Sequence, residues 1–198
     1  KWEKGGGSSL CISGLFCQSS CFGSFPLYTR ADWHAQPPIR YIKPLITPVS
    51  HVILHAAGAI RSNRWPDDCG SLENCLQTMR DIQDYDLNRR VVGDMDPNFC
   101  LDASGRFYEA RGWKRQSQYI SDVTDHKHVA IMIFGEFDKN EPTQKSKTAL
   151  RAFYACAVDS GYLTPDFDVL GHDQDSMSPP QMCPGQALGR MIRRWPAP

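Results

Sequence analysis

Two histidines and one cysteine stand at the ends of predicted strands or in the loops after them, and together they offer the donor set of a metal centre. His55 ends a run of β-branched and aliphatic residues, His172 follows a second such run, and Cys183 comes 11 residues later. Two imidazoles and one thiolate form a three-ligand zinc site whose fourth position stays open. Zinc in such a site lowers the pKa of its bound water and polarises carbonyl groups, which is the chemistry of amide hydrolysis. The spacing alone leaves a structural histidine and a disulfide-bonded cysteine open as other interpretations.

The elements that must position these side chains alternate between strands and helices. Hydrophobic patterning predicts the extended segments, which are 49–55, the two arms of a hairpin within 98–110, 128–134 and 167–170. Helical spacing predicts helices that begin after the capping residues Ser71 and Thr143, and a last helix near the C-terminus of the sequence. This order indicates an α/β fold with a central mixed β-sheet flanked by helices.

Charge and hydropathy exclude several classes of protein. The 198 residues contain 22 Lys plus Arg and 22 Asp plus Glu, so no cationic surplus holds the chain to nucleic acid or to anionic lipid. The longest apolar stretch covers 129–134, far short of the roughly 20 residues that span a bilayer, so no transmembrane segment is predicted. The polar opening Lys1-Trp2-Glu3-Lys4 indicates that no signal peptide is present, as in a processed or trimmed chain.

Cysteine usage favours an oxidising compartment. Eight cysteines occur and none forms a C-x-x-C pair, so disulfides in a secreted, extracellular protein explain them better than a thioredoxin motif or a zinc finger. Cys11, Cys17 and Cys21 follow a glycine-rich stretch. We therefore divide the chain into a cysteine-containing tail over 1–25 and one domain over 26–198. The sequence leaves the oligomeric state open.

A series of motifs in a fixed order covers most of the chain. They are Arg30-Ala31-Asp32-Trp33, the strand from Pro48 to Gly58, Cys69 with Cys75, Ile82-Gln83-Asp84-Tyr85, Tyr108-Glu109-Ala110-Arg111-Gly112-Trp113, Gly171-His172, Cys183-Pro184-Gly185 and Trp195-Pro196. With these motifs the chain resembles the peptidoglycan recognition proteins, which share a fold with the phage-type N-acetylmuramoyl-L-alanine amidases.

The resemblance implies ligands and a role for particular residues. It implies zinc bound by His55, His172 and Cys183, a peptidoglycan-recognition/amidase-like domain, and peptidoglycan or a muramyl peptide as the partner, as in innate immunity. The positions that it implies for ligand binding are Arg111, Trp113, Tyr119 and Asp125.

The resemblance also implies disulfides. Cys69 pairs with Cys75, and Cys156 pairs with a cysteine before the domain, Cys21 or Cys17. Cys100 then remains as a small buried hydrophobic residue, with a reactive or intermolecular thiol as the other interpretation. Pairing of all eight cysteines, which would remove Cys183 from the metal, is also left open.

Catalysis is the point on which this sequence departs from the family pattern. Pro97 stands where active members have a tyrosine, and Gln181 stands where they have a threonine or lysine. Ala56 and Ala57 replace the polar residues that usually follow the first metal ligand, and Val91-Val92 matches neither pair that distinguishes diaminopimelate-type from lysine-type stem peptides. We therefore predict a zinc-binding recognition domain and leave two functions open, a zinc amidase and a non-catalytic binding or structural protein on the same scaffold.

Overall fold

One mixed sheet of six strands forms the centre of the computed structural model, which describes residues 22–60, 69–118, 127–172 and 183–195. The strands are β1 (Leu27–Tyr28), β2 (Val49–Ala56), β3 (Phe99–Leu101), β4 (Phe107–Glu109), β5 (His128–Ile133) and β6 (Leu163–Gly171). Their order across the sheet is β1-β4-β3-β5-β2-β6, and only the β3–β4 hairpin is antiparallel. The predicted fold class is confirmed.

Strand β6 is longer than the sequence pattern predicts. It begins at Leu163 rather than at Phe167, and it includes Pro165. A proline cannot donate to a strand ladder, so a strand with a proline belongs at a sheet edge. The position of β6 at the edge beside β2 satisfies this requirement.

Helices cover both faces of the sheet. They are α1 (Ala57–Ile60), α2 (Leu72–Tyr85), α3 (Gln144–Asp159) and α4 (Gln186–Arg193). The Ser71 hydroxyl accepts the backbone N–H of Asn74 at 3.2 Å, and the Thr143 hydroxyl accepts that of Ser146 at 3.1 Å, so both predicted caps are confirmed. No helix within the described ranges has the length and apolarity needed to cross a membrane.

Two hydrophobic cores lie on opposite faces of the sheet. The core on the side of α3 and α4 contains Val52, Leu54 and Ala56 of β2. The core on the side of α2 contains Cys100 of β3 and Met132 of β5. Because side chains alternate along a strand, the side chain of His55 faces the α2 side.

Within the described residues, the sequence analysis agrees with the structure on which cysteines are disulfide-bonded and which are not. Cys69 and Cys75 form a disulfide, and Cys156 is also disulfide-bonded. Its predicted partners Cys21 and Cys17 lie outside the described residues. Cys100 and Cys183 are buried and carry no disulfide, so the pairing of all eight cysteines is wrong.

Candidate functional site

The carboxyl ends of β2 and β6 bring the two predicted histidine ligands together. The strands are parallel neighbours, and Leu54 pairs with Gly171. The residues that follow this pair, His55 and His172, therefore reach the same edge of the sheet. The rings of His55 and His172 lie with their centroids 4.6 Å apart. Cys183 approaches from the segment before α4, with Sγ 3.9 Å from Nδ1 of His55. One ligand atom from each of these three residues lies within 4.8 Å of the other two.

Two of the three candidate ligands are buried, and burial favours the uncharged form of the histidine among them. His55 is 0% exposed and Cys183 is 3% exposed. Burial, with smaller contributions from the positive charges of His172 and His128, lowers the pKa of His55 well below its ordinary value of 6.5. The imidazole is therefore neutral at neutral pH, which is the state that binds a metal.

The sulfur of Cys183 has a backbone hydrogen-bond donor. The N–H of Ala56 points at Sγ of Cys183 over 3.4 Å. Such a donor favours the thiolate form of the cysteine. Hydrogen-bond partners of this kind commonly orient metal ligands and change their basicity. Two imidazole nitrogens and a thiolate close together in a buried site suit zinc.

The segment that carries Cys183 is anchored to the loop after β5. The backbone N–H of Ala187 donates to the carbonyl of Phe137 at 2.8 Å, and that of Gln186 donates to Asp138 Oδ1 at 3.3 Å. Gly185 has φ +92°, and a Cβ there would come within 2.7 Å of the Phe137 backbone. The glycine of the C-P-G motif thus permits the close approach that fixes the chain beside the cysteine.

Pro97, at the position of the missing tyrosine, offers no polar side chain. It is buried just before β3, two strands away from β2, and its carbonyl accepts the backbone N–H of Arg111 at 3.2 Å. Ala56 and Ala57 are buried as well. Gln181 lies outside the described residues. At Pro97, Ala56 and Ala57, therefore, no side chain replaces the polar groups that the family pattern has lost.

The four predicted ligand-binding residues fall into two groups. Arg111 is buried, and its guanidinium donates to the backbone carbonyls of Met95, Gln116 and Val92. Trp113 stacks on Tyr162, with ring centroids 4.7 Å apart, against the core on the α3 side. Tyr119 and Asp125 lie outside the described residues. The ligand-binding role of all four stays a prediction.

A buried acidic cluster that the motifs do not indicate lies where α2 ends. Asp86 begins a π-helical turn over Asp86–Arg90, and Arg90 pairs with Asp86 at 3.1 Å and also with Asp96. One guanidinium therefore serves two carboxylates, both only 3% exposed. Burial raises the pKa of Asp86 from 3.8 to about 6, against the opposing effect of Arg90.

We expect this carboxylate to make stability depend on pH. Between pH 4 and 6 the folded protein binds more protons at Asp86 than the unfolded chain, so the free energy of unfolding falls as pH rises through this window. The raised pKa corresponds to about 3 kcal/mol at most. Urea unfolding of the protein and of Asp86→Asn at several pH values measures the effect. The free energy of unfolding of the variant should not fall over this pH window. The same pH dependence in both proteins would contradict the assignment of the effect to Asp86.

Comparison with known proteins identifies the fold family. The family model described as N-acetylmuramoyl-L-alanine amidase matches residues 46–186. The peptidoglycan recognition protein of Trichoplusia ni is 30% identical over 173 residues, covering 87% of this chain and 88% of that protein. Peptidoglycan-recognition protein SD of Drosophila simulans is 29% identical over 175 residues, covering 88% of each.

Solved structures agree with the sequence relatives. Drosophila PGRP-LB superposes with a TM-score of 0.75 at 28% identity, covering 86% of this chain and 94% of that one. Human PGRP-IBETAC, solved in complex with glycosamyl muramyl pentapeptide, gives 0.74 at 26% identity, covering 86% and 96%. These matches show that the chain belongs to the peptidoglycan recognition protein family, on the N-acetylmuramoyl-L-alanine amidase fold, and His55, His172 and Cys183 form a candidate metal-ligand cluster on that fold.

Proposed function

We propose that this domain binds muramyl peptides of peptidoglycan and holds a zinc ion on His55, His172 and Cys183. The observation that carries the proposal is the gathering of three suitable donor atoms within 4.8 Å of one another. Support for the ligand comes from the human relative, whose structure contains a glycosamyl muramyl pentapeptide.

The residues of the site have distinct tasks in this proposal. His55 and His172 supply neutral nitrogen donors, and Cys183 supplies the one negative charge among the three ligands. The backbone N–H of Ala56 stabilises this negative charge by donating a hydrogen bond to Sγ of Cys183. Zinc, when bound, would act as a Lewis acid towards a carbonyl or a water in the open fourth position.

A second candidate function is hydrolysis of the bond between N-acetylmuramic acid and L-alanine. The complete set of ligand residues favours it, because a domain that only binds would not need an open catalytic metal site. Pro97 opposes it, because a proline supplies neither a donor nor an acceptor where the family has a phenol. We propose that any hydrolysis by this chain is slow.

Two measurements on the purified protein test the proposal. Elemental analysis should find about one zinc per chain. Sedimentation with insoluble peptidoglycan should remove the protein from solution, and chromatography of the supernatant measures any stem peptide released. Zinc with binding supports the proposed function, and release adds the amidase. Absence of zinc from protein prepared without chelator contradicts the metal site, and absence of sedimentation contradicts the ligand.

Restoring a phenol tests why hydrolysis should be slow. We expect Pro97→Tyr to raise stem-peptide release at least about tenfold, because a single well-placed donor is worth about 10²–10³ in rate. The matched control is Pro97→Phe, which adds the same ring without the hydroxyl group. Equal release by the two variants would contradict a role for the missing phenol.

We further propose that the protein works outside the cell, in recognition of bacterial cell walls. Its two described disulfide-bonded sites, Cys69–Cys75 and Cys156, suit an oxidising compartment. In this proposal residues 1–25 form a tail joined to the domain 26–198 through Cys21 and Cys156.

A further inference from the structure

The outer face of α4 carries three exposed arginines. They are Arg190, Arg193 and Arg194, the last of which caps the helix. At 3.6 residues per turn, residues three and four apart lie on the same side of a helix, so the three guanidinium groups share one face. The opposite face is buried in the core on the α3 side through Leu188 and Ile192. The arginine face therefore points into solvent, away from the sheet.

A fourth arginine joins this face from α3. The guanidinium carbon of Arg151 lies 4.9 Å from the centroid of the Trp195 ring. The backbone N–H of Trp195 donates to the carbonyl of Ile192 at 2.9 Å, and its ring meets that of Tyr154 edge-on, with centroids 6.0 Å apart. The cation–π contact therefore places Arg151 beside the end of α4 before a ligand arrives, which lowers the entropy cost of binding. We call these four residues the arginine surface: Arg151, Arg190, Arg193 and Arg194.

The positive charge of the arginine surface is not compensated. In the parts of the chain that the structure describes, none of its guanidinium groups forms an ion pair or a hydrogen bond. Helix α4 contains no acidic residue. Asp159, the one acid on α3, is about 12 Å along the helix from Arg151, beyond the Debye length of about 8 Å at physiological ionic strength. The negative end of the α4 dipole amounts to about half an elementary charge, so it offsets only a fraction of four cations.

The arginine surface and the candidate metal centre lie on opposite sides of the sheet. Helices α3 and α4 pack against one face, whereas the side chain of His55 faces the α2 side. A ligand on the arginine surface therefore does not compete with a ligand at the metal centre. The inference thus stands independently of the proposed function.

The layout of the arginine surface favours an extended ligand with repeated anionic groups. Arg190 and Arg194 are one turn apart on the outside of the helix, about 6 Å along its axis. Guanidinium groups bind sulfate and phosphate oxygens through paired hydrogen bonds. The surface thus offers several binding points for such groups in a row rather than one enclosed pocket for a single ion.

Two other polyanions match the surface less well. None of the exposed large hydrophobic side chains in the described ranges lies on α3 or α4, whereas helices that bind a membrane surface insert such side chains. The chain as a whole has no net charge, whereas the dense phosphates of a nucleic acid require a cationic surplus. A carbohydrate-based chain needs neither an apolar insertion nor a strongly cationic protein.

We propose that the arginine surface binds a linear carbohydrate-based chain that carries sulfate or phosphate groups. Its guanidinium groups contact anionic groups on successive units of the chain, and no covalent bond forms or breaks. Two sources offer this chemistry, the sulfated glycans and the phosphate-rich polymers of a bacterial cell wall. The test distinguishes between them.

Calorimetric titration of the full chain with matched probes tests the inference. The probes are a heparin oligosaccharide, the same oligosaccharide after desulfation, a teichoic acid, a DNA oligonucleotide with the charge of the heparin probe, and vesicles of equimolar phosphatidylcholine and phosphatidylglycerol. We expect the heparin oligosaccharide or the teichoic acid to bind, and the desulfated probe to bind at least about tenfold more weakly than its sulfated form. Added salt should weaken the binding, because the charges involved are exposed.

Paired variants show whether the arginine surface is the binding site. Arg190→Gln/Arg194→Gln should weaken binding of the carbohydrate probe at least about tenfold. The matched control is Arg89→Gln/Lys139→Gln, which removes two exposed cations from other parts of the surface and should bind like the unmodified protein. Glutamine is close to arginine in helix propensity, so the α4 variant should keep its fold, which thermal unfolding checks.

The dependence of binding on the arginines decides the outcome. Binding of either carbohydrate probe that is lost in the α4 variant supports the inference, and the probe that binds identifies the source. Absence of binding by both probes overturns it, as does an equal loss in the control variant. Equal binding of the desulfated oligosaccharide also overturns it. DNA or vesicles that bind as tightly as the carbohydrate probes would assign the surface to another polyanion and overturn the carbohydrate ligand.

Discussion

We expect Cys183→Ala to abolish the zinc binding that we propose for this domain. The substitution leaves two imidazoles, His55 and His172, in a site that has lost its only anionic ligand. Two neutral ligands bind zinc far more weakly than three ligands with a thiolate, so zinc content after dialysis should fall from about one to below about 0.1 per chain. Elemental analysis of the two proteins measures this directly.

Thermal unfolding gives a second readout of the same change. Bound zinc stabilises the folded state by about 2.7 kcal/mol when its free concentration is 100 times its dissociation constant. A chelator should therefore lower the melting temperature of the unmodified protein and leave that of Cys183→Ala unchanged. The matched control is Cys100→Ala, which removes the other described thiol that carries no disulfide. The Cys100→Ala protein should retain zinc. Loss of zinc from Cys100→Ala would contradict a specific role for Cys183.

Most of the fold follows from hydrophobic patterning and capping residues. The period of the apolar residues predicts β2, β5, α2 and α3, because each buries a continuous or regularly spaced apolar face. Strand β1 is only two residues long, at Leu27–Tyr28, and pairs with β4 far along the chain. So short a strand has no pattern of its own, and its pairing depends on the completed sheet.

That three side chains come together at the candidate site could be predicted from the sequence, whereas the surroundings of these side chains could not. His55 and His172 belong to recognisable motifs at strand ends, and Cys183 belongs to the C-P-G motif before α4. The parallel register of β2 and β6 brings the two histidines together. The donor to Cys183 is a backbone N–H, which every residue except proline has, so no residue type marks it.

Asp102→Ala will destabilise the domain by about 3–5 kcal/mol, as expected when one partner of a buried ion pair is removed. Asp102 is 0% exposed and lies at the end of β3, where the hairpin begins to turn. Its Oδ1 accepts the backbone N–H groups of Ser104 and Arg106, both at 2.9 Å. Its Oδ2 accepts the Arg106 guanidinium and, at 2.9 Å, the hydroxyl of Tyr108.

The size of the effect follows from what the substitution leaves behind. Arg106 would remain as a largely buried cation without its carboxylate, and the buried hydroxyl of Tyr108 would lose its acceptor. Asp81→Ala is the matched control, because Asp81 is an exposed acid on α2 whose loss should change stability by less than about 0.5 kcal/mol. Urea unfolding at one pH compares the three proteins. A similar small change for both variants would mean that the hairpin turn holds its shape without the carboxylate, and that apolar packing of β3 and β4 stabilises this end of the sheet.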